Sequence, residues 1–337
     1  MVAGLFIGVN PCSSHLIRFS AFRFFRLFSG SLILLLSPAA LAEPKPVPRM
    51  QAVPQPRDEV SFQRDGVEIA RHYPGRGGFR PFVFPLIGPS GRSLTRLGHP
   101  HDPVTHSHHN SVWLSHQSVN GANFWEDRAA HIVQQRLERL DDGPDAASIE
   151  TLNAWIDKDG KTQMTEHRRT AVQALENGEW LLLIDTQLEA PPGAPVTLGQ
   201  TPFGLLGVRM AKTIGVIDGG GTIRNSEGGV DEAGCFRLPA RWVDYSGPIT
   251  AEASEGITLF DHPQNPHHPA IFHVRNDGWM GAALTFDAAR AIAPGKSLRL
   301  RYALYVHGEP PSVETLEKRW SMFAKTKVED LTPTKKK

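Results

Sequence analysis

From Val60 onward the chain alternates apolar and polar positions in short runs, each closed by turn-forming residues. Val60-Ser61-Phe62-Gln63 and Val67-Glu68-Ile69-Ala70 flank Arg64-Asp65-Gly66, and period-two alternation on both sides of Asp-Gly predicts a β-hairpin. Phe82–Ile87 is a further apolar run in which Pro85 predicts an edge or a bend. Residues 111–115, 147–155, 164–174, 180–189, 205–211, 257–260, 270–274, 282–286 and 298–307 repeat the pattern. Asp157–Gly160, Glu176-Asn177-Gly178 and Pro294-Gly295 punctuate them as turns. One helix is predicted, over 312–324, with Ser312 as N-cap and Glu314 and Glu317 in its first turns. Such a succession of short strands predicts an all-β fold, a large antiparallel β-sandwich with a short C-terminal helix, spanning 58–326 as one domain.

The ends differ in character. Residues 1–42 combine Arg18, Arg23 and Arg26, an apolar run at 32–36 and Ala40-Leu41-Ala42, which reads as a secretory signal peptide cleaved after Ala42. Residues 43–57 hold five prolines and read as an extended linker, and the lysine-rich 327–337 as a frayed basic tail. Cleavage would remove three arginines and no acid, taking the formal charge from +1 to −2. A near-neutral body argues against a nucleic-acid partner. No later segment approaches a membrane span, so the mature chain is expected in the periplasm or outside the cell. Cys12 leaves with the signal, and Cys235, alone, reads as a small buried hydrophobe.

Chemistry concentrates between His99 and Asp127, where six of the fifteen histidines fall by position 116. In His106-Ser107-His108-His109, an extended backbone would put His106 and His108 on one face. With His99, His101 or Asp102 they could hold a divalent metal ion. The same residues could instead form a metal-free acid/base site, or simply a loop packed by hydrogen bonds. Trp113, Phe124 and Trp125 beside amide and acidic groups suit a sugar ring, although Trp113 could equally fill a core.

A second polar stretch, Asp261–Pro269 followed by His273, Arg275, Asn276 and Asp277, has a similar composition, and both stretches are expected to meet at one end of the sandwich. Arg209 lies in an apolar run and must either meet a carboxylate, such as Asp244 or Glu227, or face a polar pocket. Gly219-Gly220-Gly221 lacks the strand-to-helix setting of a phosphate loop.

The segments HSHHNSVWLSHQSVNGANFW (106–125), LGVRMA around Arg209, RWVDYSG from Arg241 and FDHPQNP from Phe260 together resemble the bacterial family labelled "methane oxygenase PmoA". His106, His108, His109, His116, Asn120 and Trp125 match its pattern. Thr105 and Asn110 stand where that pattern has Asp and Arg. The strand distribution, with PGKSLRLRY at 294–302, also resembles the galactose-mutarotase supersandwich.

The residues and the resemblances together imply a secreted carbohydrate-active enzyme acting by hydrolysis or β-elimination. His106, His108, His109 and His116 are its expected catalytic groups, with His106 and His108 the candidate metal ligands. Asn120, Trp125, Arg209, Asp244, His262, Asn265, His273 and Arg275 are its expected substrate contacts. A mutarotase-like variant would need a carboxylate base such as Glu227 or Asp244. A non-catalytic carbohydrate-binding protein and a metal-dependent oxygenase are the alternatives.

Overall fold

The Asp65-Gly66 turn forms with both residues at positive φ (53° and 79°), the geometry that matches the twist of a two-residue hairpin. A computed structural model describes residues 46–331 apart from Arg76 and Glu329, so the signal-peptide segment and 332–337 lie outside the described residues. In chain order the strands are β1 (Met50–Pro54), β2 (Val60–Arg64), β3 (Val67–Tyr73), β4 (Phe82–Leu86), β5 (Val112–His116), β6 (His131–Asp141), β7 (Ala146–Ile156), β8 (Thr162–Ala174) and β9 (Trp180–Glu189). They continue as β10 (Val196–Leu198), β11 (Gly204–Arg209), β12 (Thr222–Asn225), β13 (Trp242–Pro248), β14 (Ser254–Asp261), β15 (Phe272–Arg275), β16 (Trp279–Ala283), β17 (Arg290–Ile292) and β18 (Ser297–His307). Short helices α1 (Val216–Gly219) and α2 (Asp231–Cys235) precede the longer α3 (Val313–Ala324).

Two eight-stranded antiparallel sheets result. One has the order β1-β2-β3-β4-β5-β11-β16-β15, the other β12-β13-β14-β18-β9-β8-β7-β6, and β10 pairs with β17 apart from both. The expected all-β sandwich is therefore present, and the described residues from Val47 onward form one compact unit. The linker reading of 43–57 needs correction, because Met50–Pro54 pairs with β2, Ala52 opposite Phe62, and buries Met50 and Ala52. Its one proline, Pro54, closes a strand at the edge of the sheet, where a proline is tolerated.

Alternation explains the layering. Val112, Leu114, Leu206, Val208, Phe272 and Met280 of the first sheet meet Trp155, Leu182, Ile184, Leu304 and Val306 of the second in one core. Helix α3, capped by Ser312 Oγ accepting from the Thr315 amide, lays Leu316 and Phe323 on Trp242, Phe260 and Tyr305, the opposite face of the second sheet. Cys235 is buried in the main core, which pushes its thiol up to about 12. The first sheet has a second face too, where Trp113, Trp125 and Trp279 form a separate cluster with Phe82 and Phe203.

Within the second sheet, Glu166 is fully buried and accepts from Arg168 Nε (2.6 Å) and Nη2 (2.9 Å), Trp155 Nε1 (3.0 Å) and Thr186 Oγ1 (2.8 Å). Burial alone would raise its carboxyl, but Arg168 and these donors hold it below the usual range. Glu166→Ala should leave the Arg168 charge buried without its partner and cost about 3–5 kcal/mol. Denaturant unfolding of the variant checks this, and a loss below about 1 kcal/mol would contradict it.

Candidate functional site

The second face of the first sheet is built from two cross-strand rows. In one, Trp113 of β5 lies opposite Gly207 of β11, Gly207 opposite Gly281 of β16, and Gly281 opposite His273 of β15. In the next, Arg209 lies opposite Trp279, and Trp279 opposite Arg275. The glycines are required by the indoles. A Cβ on Gly207 would stand 2.6 Å from Trp279 and 3.0 Å from Trp113, and one on Gly281 would stand 2.9 Å from Trp279. Over this floor the segments on either side of β5, 99–109 and 117–128, fold back and wall a cavity of about 810 Å³. His99, His106, His108, His109, Trp125, Phe203, Arg209, His273, Arg275, Asp277 and Trp279 line it. The site thus sits on a sheet face, where alternation collects side chains from four neighbouring strands, and not at an end of the sandwich.

Two buried arginines hold the wall. Arg80 donates to Asp127 Oδ1 (2.8 Å), Asn110 Oδ1 (2.7 Å) and the carbonyls of His108, Phe124 and Trp125 (3.3, 3.2 and 2.9 Å). Burial depresses its guanidinium, and Asp127 offsets part of that effect. Arg209 Nη1 donates to Asp277 Oδ1 (2.9 Å) and to the Asp277 carbonyl (2.7 Å), while its Nε donates to His109 Nδ1 (3.1 Å). Arg209 therefore meets a carboxylate and faces the pocket at once, but the carboxylate is Asp277. Asp244 instead binds Arg224 and His307 inside the second sheet, and Glu227 pairs with Arg241.

The partners determine the histidine tautomers. A guanidinium only donates, so His109 Nδ1 accepts and the neutral ring carries its proton on Nε2. That ring stacks against Trp113 and Trp279 (centroids 5.5 and 5.4 Å apart), and burial beside Arg209 keeps it far below the usual histidine range. His99 Nδ1 accepts from the amides of His101 and Asp102 (both 3.0 Å), so its Nε2 donates to Asp277 Oδ2 at 2.8 Å. His106 is oriented the other way. Its Nδ1 lies 2.9 Å from Asp102 Oδ2, a carboxylate held ionised by Thr105, which leaves Nε2 open on the pocket side. His273 Nδ1 donates to the Pro202 carbonyl (3.3 Å), leaving its Nε2 lone pair free. His108 packs against Trp125 (6.2 Å between centroids), and burial with the Arg80 charge lowers it to about 4.

The remaining expected residues are placed elsewhere. His116 is buried, accepts from the Ser118 amide at Nδ1 (3.0 Å) and donates from Nε2 to Thr285 Oγ1 (2.9 Å), which makes it a strand-end anchor. Asn120 occupies a positive-φ turn (50°), and its Oδ1 accepts from the Thr197 amide (2.8 Å). His262 and Asn265 tie their loop to the Thr326 carbonyl and to the Arg301 backbone (2.9 and 2.7 Å). The second polar stretch reaches the pocket only through His273, Arg275 and Asp277. Sequence reasoning did not single out Arg80 as the organiser, Phe203 as part of the wall, or Asp102 as the orienter of His106. Asp102 and His106 four residues apart, around a Thr105 that caps the same turn, was the available signal.

The metal set fits poorly. Among the described residues no three His, Cys, Asp or Glu side chains converge as a metal would require. Of the expected set, His99 has both ring nitrogens committed, to Asp277 and to the His101 and Asp102 amides, His101 Nε2 is bound to Asp218, and Asp102 is bound to His106 Nδ1. Among the described residues no helix is long and apolar enough to cross a membrane.

A family model described as a family of unknown function (DUF6807) matches residues 59–321. That description lends no support to the methane-oxygenase label. No curated protein matches the chain. Among solved structures, a GalM/aldose epimerase homologue from C. elegans is similar at 10% identity and a TM-score of 0.36, over 71% of this chain and 95% of that one. A 4-alpha-glucanotransferase from Thermococcus litoralis is similar at 11% identity and a TM-score of 0.28, over 77% of this chain and 39% of that one, so this chain spans well under half its length. Scores this low carry no functional weight.

Three buried imidazoles, His108, His116 and His273, are each lowered to about 4, first by burial. The unfolded chain binds protons at these groups from about pH 6.5 and the folded chain does not, so folding is favoured fully above that value. Stability should therefore fall as pH drops from about 6.5 toward 4. Denaturant midpoints at pH 7 and 5 test this, and an unchanged midpoint would contradict the neutral-histidine assignment.

Proposed function

We propose that this chain, which belongs to that family of unknown function over every strand but β1, is a carbohydrate-active enzyme in which His106 is the general base. The observation that supports this most directly is the Asp102–His106 pair. The carboxylate fixes the Nδ1–H tautomer, which leaves the Nε2 lone pair as the basic position of a ring that lines the same cavity as Trp125, Phe203 and Trp279. An indole and phenyl wall offers the apolar face of a sugar ring a surface, while imidazoles meet its polar rim.

The choice between hydrolysis and elimination rests on the carboxylates. Hydrolysis asks for a pair of carboxyl groups, one of them protonated. Here Asp127 is bound to Arg80, Asp277 to Arg209 and Glu126 to Arg128, so all three pocket carboxylates are engaged by arginines. The groups free to move protons are imidazoles. Proton abstraction from carbon, leading to β-elimination, therefore suits the site better than hydrolysis. The basic, apolar and small-residue succession of 1–42 supports placing this activity in the periplasm or outside the cell.

His106→Ala and Asp102→Asn should each lower turnover of a processed glycan, by about 10²–10⁴-fold for the histidine. Product analysis distinguishes an unsaturated sugar from a plain new reducing end. Unchanged turnover in His106→Ala would end this reading. Saturable glycan binding lost in Trp125→Ala, with no product formed by the unaltered protein, would instead establish the binding-only alternative.

A further inference from the structure

Resting on His106 as base, the geometry points to His109 as a fixed neutral hydrogen-bond donor for a substrate carbonyl, so we infer that the substrate is a sugar derivative bearing a ketone or aldehyde next to the abstracted proton. His109 is fixed in three ways. Arg209 Nε donates to its Nδ1, Asp277 holds Arg209 from the far side, and Trp113 and Trp279 pack the ring within a buried slot. Its Nε2–H has no hydrogen-bond partner among the described residues, yet the ring lines the cavity. An N–H open to the cavity in this way is available to donate to a ligand acceptor.

The nearby charges decide what that acceptor is. The cations lining the cavity are each engaged, Arg209 with Asp277, Arg275 with Glu232 (3.1 Å) and Arg128 with Glu126 (2.5 Å). A carboxylate substrate would find no uncommitted cation, whereas a carbonyl oxygen needs only a neutral donor. The His106 and His109 rings meet edge to face, 5.0 Å apart between centroids, so base and donor stand side by side and can reach neighbouring atoms of one substrate.

The reaction balances without a further reagent. His106 Nε2 takes the proton from the carbon beside the carbonyl. The C–H electron pair forms a carbon–carbon double bond, and the carbonyl pair moves to the oxygen held by His109 Nε2–H. The carbonyl then re-forms, the bond from the β-carbon to the glycosidic oxygen breaks, and its pair departs on that oxygen. The proton on His106 passes to the departing oxygen, giving an unsaturated carbonyl sugar and a free alcohol. Arg209 acts here as a positioning residue, through the tautomer it imposes on His109.

Deuterium incorporation from heavy water separates the possibilities, using a glycoside oxidised to a ring ketone, the matching uronic acid glycoside and the unoxidised parent. The ketone alone should exchange or eliminate. His109→Phe should lower that rate roughly 10²–10³-fold, the scale for removing one oxyanion donor. His109→Gln, which keeps a donor, should recover part of it. Nitrogen-15 spectra of the unaltered protein should show His109 protonated at Nε2, a readout independent of whether either variant folds. Faster reaction of the uronic acid, or a proton on Nδ1, would overturn the carbonyl assignment while leaving His106 as base intact. No exchange with any of the three would overturn both readings.

Discussion

Everything around the pocket depends on guanidinium groups buried where a carboxylate and several carbonyls converge on them. Arg80 has no exposed side-chain surface, and the loop from His108 to Asp127 wraps it with Asn110, Asp127 and three main-chain carbonyls. A buried charge left without partners is expensive, so the conformation that brings these acceptors to the two Nη atoms of Arg80 is favoured. In that conformation Trp125 reaches Trp113 and Trp279, and His108 reaches the cavity. Arg209 does the same for the opposite wall by binding Asp277 and His109 together.

The histidines differ by partner and not by type. His99 and His109 accept at Nδ1 and keep a proton on Nε2, while His106 and His273 donate at Nδ1 and expose Nε2. One cavity therefore holds ring donors and ring acceptors a few ångströms apart. That is the division of roles proton transfer requires, since a base and a hydrogen-bond donor must coexist without exchanging their protons.

Much of the fold was legible because a sandwich strand carries its own period. The hairpin at Asp65-Gly66, the long strands β7, β8, β9 and β18, and the Ser312-capped helix all follow from alternation and turn chemistry. Strand β6 was not, because Gln134-Gln135-Arg136 and Glu138-Arg139 leave an edge strand with mostly exposed polar positions. Strand β13 hid for the opposite reason, since both its faces are buried and no alternation survives. At the site, the charge of Arg209 within an apolar strand posed a carboxylate partner and a polar pocket as alternatives, and the structure supplies both. Its partner Asp277 lies just before Trp279, the residue opposite Arg209, a pairing that only the β11–β16 register reveals. His116, Asn120, Asp244, His262 and Asn265 misled because the side chains that bind ligands are also those that pin turns and satisfy buried backbone.

The absent side chains at Gly207 and Gly281 set the depth of the cavity. With no Cβ between backbone and indole, Trp113 and Trp279 settle directly onto the sheet. One methyl group at either position would lift the aromatic floor toward the histidines. Selectivity for ligand thickness is thus written into two positions without side chains, beneath the chemistry. A lineage could retune what enters this pocket by raising its floor while every proton-carrying group stayed in place.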